Sequence, residues 1–219
     1  MTANEQNNFK AEATLTELLK DNEVLLDKQI TKETIINFVD LVKGQTKNER
    51  FLNLLATLCS CNREAVNSNQ DDTCEVLLEN EDNNKALIMK MVASKGTPDF
   101  EIILSEPEID KKTMFIKITT LYDVSLRRDD LRIFNYFKAV ININAEMCLQ
   151  RNYRGINVLE SIYPVDQVYT CTTNDSIHLL LRASFAKLFL YLHVDRDPFE
   201  NVTVPILART WPDIVFGKT

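Results

Sequence analysis

Glycine is scarce in this sequence. Only Gly44, Gly96, Gly155 and Gly217 occur among 219 residues, and no two are close together. Phosphate-binding loops and nucleophile elbows need clustered glycines, because the backbone must approach closely or take positive φ. The dinucleotide fingerprint, the phosphate loop and the G-x-S-x-G elbow are all excluded. Basic patches are lacking as well: the formal net charge is −7. Arg127-Arg128 and Arg151 with Arg154 are the densest cationic spots, and each lies beside acids or polar residues. Nucleic-acid binding normally needs a basic stripe to neutralise phosphates, so no nucleic-acid partner is expected.

Histidine is limited to His178 and His193, both in or beside one apolar stretch. A Ser or Cys nucleophile with a base and an orienting acid is not discernible, so an enzyme is not expected. The five cysteines (Cys59, Cys61, Cys74, Cys148 and Cys171) form neither a disulfide framework nor a four-ligand zinc set. They read as buried thiols, and no metal or cofactor is expected. Asp195 and Asp197 are too few oxygen donors for calcium. No signal peptide opens the chain. The longest apolar stretch, Leu179 to Val194, is interrupted by Arg182, Lys187 and His193 and is too short to span a bilayer, so a soluble fragment is expected.

Hydrophobic residues make up 45% of the chain, enough for a substantial core. Apolar positions recur at helical spacing over much of the length. Short helices are expected from Thr14 and over Glu23 to Lys28, then a clearer one capped by Thr31 and ending at Gly44. Others cover Asn48 to Cys61 and Asp71 to Leu78. The acids from Asp71 to Asp82 read as a solvated face. The middle changes character: Ala86 to Val92, Phe100 to Leu104 and Met114 to Thr119 are β-branched or aromatic runs separated by Gly96-Thr-Pro98 and Glu106-Pro107. They predict a hairpin or three-stranded insert. Helices return over Leu131 to Leu149, Asn152 to Ile162 and Val165 to Cys171, and the final one, Ser176 to Val194, reads as buried on nearly every side. The fold class is mainly α, an armadillo- or HEAT-like solenoid with a small β insert. Residues 1–85 form first helical repeats, 86–120 the insert and 121–219 a second lobe, together one continuous domain.

Two stretches carry a family resemblance. The first is Phe51-Leu-Asn-Leu-Leu-Ala-Thr-Leu-Cys-Ser-Cys-Asn62, continuing through Ala65-Val66, Ser68-Asn-Gln-Asp71 and Leu77-Leu78. It resembles the homology region shared by ryanodine receptors and inositol trisphosphate receptors, with Cys-Asn and Ser-Asn-Gln leaning to the ryanodine side. The second is Met147-Cys-Leu-Gln-Arg-Asn-Tyr153 with Gly155-Ile-Asn157, then Leu181-Arg-Ala-Ser-Phe185, His193-Val-Asp-Arg-Asp-Pro198, Val202-Thr203 and Ala208-Arg-Thr-Trp211. It is similar to inositol trisphosphate receptors.

The resemblance implies a cytosolic helical domain, following the ligand-binding core, in a tetrameric calcium-release channel of the endoplasmic reticulum membrane. The mixture of features implies an early-diverged member of that superfamily. The implied partners are neighbouring domains and subunits of a membrane-embedded parent. The family's ligand-gripping basic residues find no match here, so no ligand site is carried over. The implied role is mechanical. Arg182, His193, Asp195, Arg196, Asp197 and Trp211 are expected to hold a shared corner that sets the angle of the last helices. The alternatives are a ryanodine receptor-like channel domain, or a stand-alone armadillo-type scaffold binding peptides in a concave groove, which a groove lined with Asn and aromatic residues would favour.

Overall fold

The computed structural model describes residues 14–44, 48–94, 99–104, 114–122 and 128–197. Helix α1 covers 14–19, and α2 (Glu23–Lys28) and α3 (Lys32–Gly44) follow. Helix α4 (Glu49–Cys59) runs into a minimal antiparallel ribbon, β1 (Ser60–Cys61) and β2 (Glu64–Ala65). Its turn is made by Asn62 and Arg63, both at positive φ, as two-residue hairpin turns require. Helix α5 (Asn67–Cys74) widens into a π turn over Glu75–Glu79, and α6 (Glu81–Leu87) closes the first half.

Strands β3 (Met91–Ala93), β4 (Phe100–Leu104) and β5 (Met114–Lys117) form an antiparallel sheet in that order. A 3-10 turn over Ile118–Tyr122 leaves it. The second half is α7 (Arg128–Cys148), α8 (Tyr153–Ile162), α9 (Val165–Thr173) and α10 (Leu179–Phe189), with a π turn over Leu190–Val194. The fold is mainly α with a small β insert.

Asparagine starts many of these helices. The side-chain oxygens of Asn22, Asn48, Asn80 and Asn152 accept the backbone N–H of Leu25, Arg50, Asn83 and Arg154. Each satisfies a donor that has no partner within its own helix. The Nδ1 of His178 does the same for Leu180 N–H at α10.

One contiguous apolar cluster runs from Leu19 to Leu192 and draws on both halves. Helix α7 is its axis, packed between α4 and α10. Phe137 of α7 meets Phe185 of α10 edge-on, with ring centroids 6.0 Å apart.

Several expectations need correction. Ala86 and Leu87 are the end of α6 and not strand, so the first β run starts only at Met91. An apolar run that short fits either structure, and Lys85-Ala-Leu87 favours helix. Ser60 and Cys61 leave α4 for the ribbon. Thr14 lies inside α1, and Gly44 is the last residue of α3. Helix α10 is not buried on every side, since Leu179, Leu180, Leu190 and Val194 are exposed.

Candidate functional site

The turn between α7 and α8 gathers the chain's polar contacts into one place. Gln150 and Arg151 both sit at positive φ, which reverses the chain within two residues. The four residues from Arg151 to Arg154 then reach separate targets. Arg151 donates to Asp195 at 3.0 Å and to Asp197 at 2.7 Å. Asn152 donates to Gln70 Oε1 at 2.9 Å and to Asp71 Oδ1 at 3.0 Å. Tyr153 donates to Asp197 Oδ2 and accepts Asp197 N–H at 2.8 Å. Arg154 binds Glu75 at 2.9 Å and clasps Glu79 through two nitrogens.

Both π turns flank this node. Glu75–Glu79 supplies the acids that Arg154 holds, and Leu190–Val194 delivers Asp195 and Asp197 to Arg151. A π turn widens the helix by one residue and shifts its side chains off the regular stripe. Glu75 and Glu79 are biased to the charged form. Hydrogen bonds from Lys32 and then Arg154 hold Glu75 below the usual carboxylate range, and Arg154 does the same for Glu79. All lie near the surface, so the network fixes geometry more than it adds stability.

Beneath the charged layer, α5 supplies buried amides. Asn69 donates to Leu26 O at 2.8 Å and Leu58 O at 3.2 Å. Gln70 donates to Glu146 O at 2.7 Å and Leu149 O at 3.0 Å. These carbonyls lie at the C-terminal ends of α2, α4 and α7, where no intrahelical donor exists. Helix α5 is polar in composition yet buries Asn69, Gln70, Thr73 and Cys74. It serves as a shared C-cap for three helices.

Close packing locks the same place. A Cβ added at Gly155 would lie 2.5 Å from Met147 O and 3.4 Å from Cys74 Sγ. Glycine is therefore required where α8 crosses α7 and α5. Cys59, Cys74 and Cys148 are buried, and burial pushes the Cys59 thiol up to about 12. These are packing groups and not reactive thiolates. No cluster of metal-ligating side chains is present among the described residues.

The residues expected at the corner separate into three groups. Asp195 and Asp197 meet Arg151, and Arg196 binds Glu160 of α8 at 2.8 Å. His193 Nε2 donates to Tyr163 O at 3.0 Å, at the end of α8. Arg182 lies elsewhere: it donates to Thr172 O at 3.1 Å and pairs with Asp175, holding the α9–α10 turn. Trp211 lies outside the described residues.

Arg151 and Arg154, noted from sequence only as a dense basic spot, are committed to acids. Glu75 and Glu79, read as part of a solvated face, are their partners. The pairs are 44 to 79 residues apart in sequence, so no local spacing marks them. The partial signal lay in Ser68-Asn-Gln-Asp71 and Gln150-Arg-Asn-Tyr153, runs of polar residues flanked by apolar helix.

Comparison with known proteins returns one family. Residues 4–92 match the family model described as the RIH domain. The chain is 28% identical over 212 residues to the inositol 1,4,5-trisphosphate receptor itr-1 of Caenorhabditis elegans, covering 92% of this chain and 7% of that protein. It is 24% identical over 207 residues to the inositol 1,4,5-trisphosphate receptor-like protein A of Dictyostelium discoideum, covering 94% of this chain and 6% of that protein. The chain therefore spans a small fraction of the curated relatives it matches.

Proposed function

Because this chain belongs to the inositol trisphosphate receptor and ryanodine receptor superfamily, we propose that it is a cytosolic coupling module of an intracellular calcium-release channel. In this reading it carries conformational change from a ligand-binding region toward a pore. It performs no catalysis and holds no activating ligand itself. The parent is a tetramer in the endoplasmic reticulum membrane, and the module contacts neighbouring domains and subunits there.

One observation carries the reading. Residues 151–154 tie α5 and its π turn, from the first half, to the segment that follows α10 in the second. A displacement applied at either end is passed on through a pinned junction and not absorbed by a loose hinge. The shared core and the helix crossing at Gly155 support movement as one body, with the described parts of residues 1–85 and 121–219 as its two arms. The π turns add two places where the body is able to change register.

The test is the full-length coding sequence on both sides of this segment. β-rich ligand-binding sequence before it and several membrane spans after it would support the channel reading. A natural protein of about this length without spans would overturn it.

The second reading, a peptide-binding armadillo-type scaffold, is favoured by a groove that contains Asn53, Asn142 and Tyr191. In that case the protein would hold partners without gating anything. The two readings are not exclusive where the groove is concerned.

A further inference from the structure

A concave groove of about 410 Å³ opens along α4 and α7, and Glu146 and Leu149 line it beside the α7–α8 junction. One wall is Asn53 and Thr57 of α4, at the i, i+4 spacing of a single helix face, with Ser60 of β1 next to them. The other wall is Asn142 and Glu146 of α7, with Lys187 of α10 and Tyr191 of the π turn that follows it beyond them. Lys20 after α1 and Arg63 at the tip of the ribbon close one end.

The hydrogen-bond state of these groups separates them. Lys187 is paired with Glu146, and Asp21 accepts the Asn62 N–H at 3.0 Å. Among the described residues the side chains of Lys20, Asn53, Arg63 and Asn142 take no hydrogen bond or ion pair. A groove therefore presents two uncommitted amides on facing helices and two uncommitted cations at one end.

We infer that this groove binds an extended acidic peptide segment, supplied by another part of the parent channel polypeptide. A side-chain amide carries both a donor and an acceptor, so each asparagine is able to grip one peptide unit through its N–H and C=O. Two such amides on neighbouring helices fix an extended backbone without reading its sequence. Lys20 and Arg63 then select acidic side chains at the end of the track.

Ala56, Leu149 and the ring of Tyr191 lie between the polar groups of the groove, where the apolar side chains of a peptide fit. A compact polyanion would meet the carboxylates of Asp21 and Glu146 beside the cations. A peptide spreads its charge along its length and avoids them. The chain's net charge of −7 disfavours acidic segments over its surface as a whole, and Lys20 and Arg63 offset it at this end. The source follows from the channel reading, on which this part of the proposal rests. The matching segment is 7% of the itr-1 receptor, which leaves a long polypeptide to supply such a strand.

The test uses the 219-residue chain and overlapping fifteen-residue peptides that tile the remainder of its parent protein. Binding is read by fluorescence anisotropy at two salt concentrations. The expected result is binding confined to acidic tiles and weakened by salt. Lys20→Glu with Arg63→Glu weakens it by roughly tenfold or more, and Asn53→Ala with Asn142→Ala weakens it while leaving the salt dependence in place. Thermal unfolding of each variant checks that the fold is kept. Absence of binding by any acidic tile overturns the proposal, as does binding that survives both double variants. Saturation by inorganic pyrophosphate that ignores the asparagine variant overturns it too, because it marks a small-anion site. Failure of the channel reading is seen separately, in the coding sequence itself.

Discussion

The side-chain amide of Asn152 donates to the side-chain oxygen of Gln70 at 2.9 Å, across 82 residues of sequence. Asn152 caps α8, and Gln70 caps the end of α7 through Glu146 O and Leu149 O. One bond thus joins the cap that begins a helix to the cap that ends the preceding one.

Removing the amide exposes its value. Gln70→Ala leaves the buried Leu149 O without its side-chain donor, takes one of two donors from Glu146 O, and removes one of the acceptors of the Asn152 amide. The expected cost is about 2 kcal/mol, from unsatisfied buried polar groups. In a domain of this size that lowers the melting temperature by about 4–8 °C. Differential scanning calorimetry of the 219-residue chain checks it. An unchanged melting temperature would mean that water replaces the amide at no loss.

Gly155→Ala probes the crossing from the other side. The added methyl meets a backbone oxygen, which is unable to rotate away. Overpacking of this kind costs about 1–3 kcal/mol. The loss should show in urea unfolding as a lower midpoint with unchanged slope. A neutral outcome would place α8 farther from α7 than the structure has it.

Much of the helical layout was legible in the sequence, for physical reasons. Thr31, Asn48 and Asn152 stand at or beside helix starts because their oxygens accept free N–H groups. The strands over Phe100–Leu104 and from Met114 were readable from β-branched composition between breakers. The ribbon at Ser60–Cys61 was hidden because two-residue strands have no period, and its turn uses Asn62-Arg63 without glycine.

The corner was legible in part. Asp195, Arg196 and Asp197 sit where an ion-pair corner needs them, but their partners are remote. Arg182 stands eleven positions before His193, at the opposite end of the expected Ser176–Val194 helix, beside Thr172 and Asp175. Distance along a helix is simple to compute, whereas the ion pairs across 36 to 79 residues depend on how helices stack.

His193 gives the account a pH signature. Burial lowers its pKa, and the neutral ring donates Nε2–H to Tyr163 O, with Glu160 and Arg196 nearby. A base depressed in the folded state is protonated more readily in the unfolded chain. Stability should therefore fall as pH drops below the unfolded histidine value of about 6.5. The held-down carboxylates Glu75 and Glu79 act in a separate, lower window, losing their contribution as pH falls below the ordinary carboxylate range. His193→Gln should flatten the upper step and leave the lower one. Melting temperatures between about pH 2 and pH 8 read both windows.

Charge reversal at Arg196 tests the corner without touching the core. Arg196→Glu sets a carboxylate against Glu160 in place of the 2.8 Å pair. The melting temperature should fall, and Arg196→Glu combined with Glu160→Arg should recover part of the loss. Identical melting curves for the wild-type chain and both variants would remove the corner from the account.

The central claim is that this chain couples a ligand-binding region to a pore, and calcium release by the full-length parent protein tests it most directly. Arg151→Gln breaks the link to Asp195 and Asp197 while leaving Asn152 and Arg154 in place. In vesicles bearing the parent channel, the ligand dose-response of calcium efflux should shift to higher concentration by about fivefold or more, the lower bound of a coupling energy between sites. Channel abundance and melting temperature should stay near wild type. A variant that releases calcium with the wild-type dose-response would contradict the coupling role.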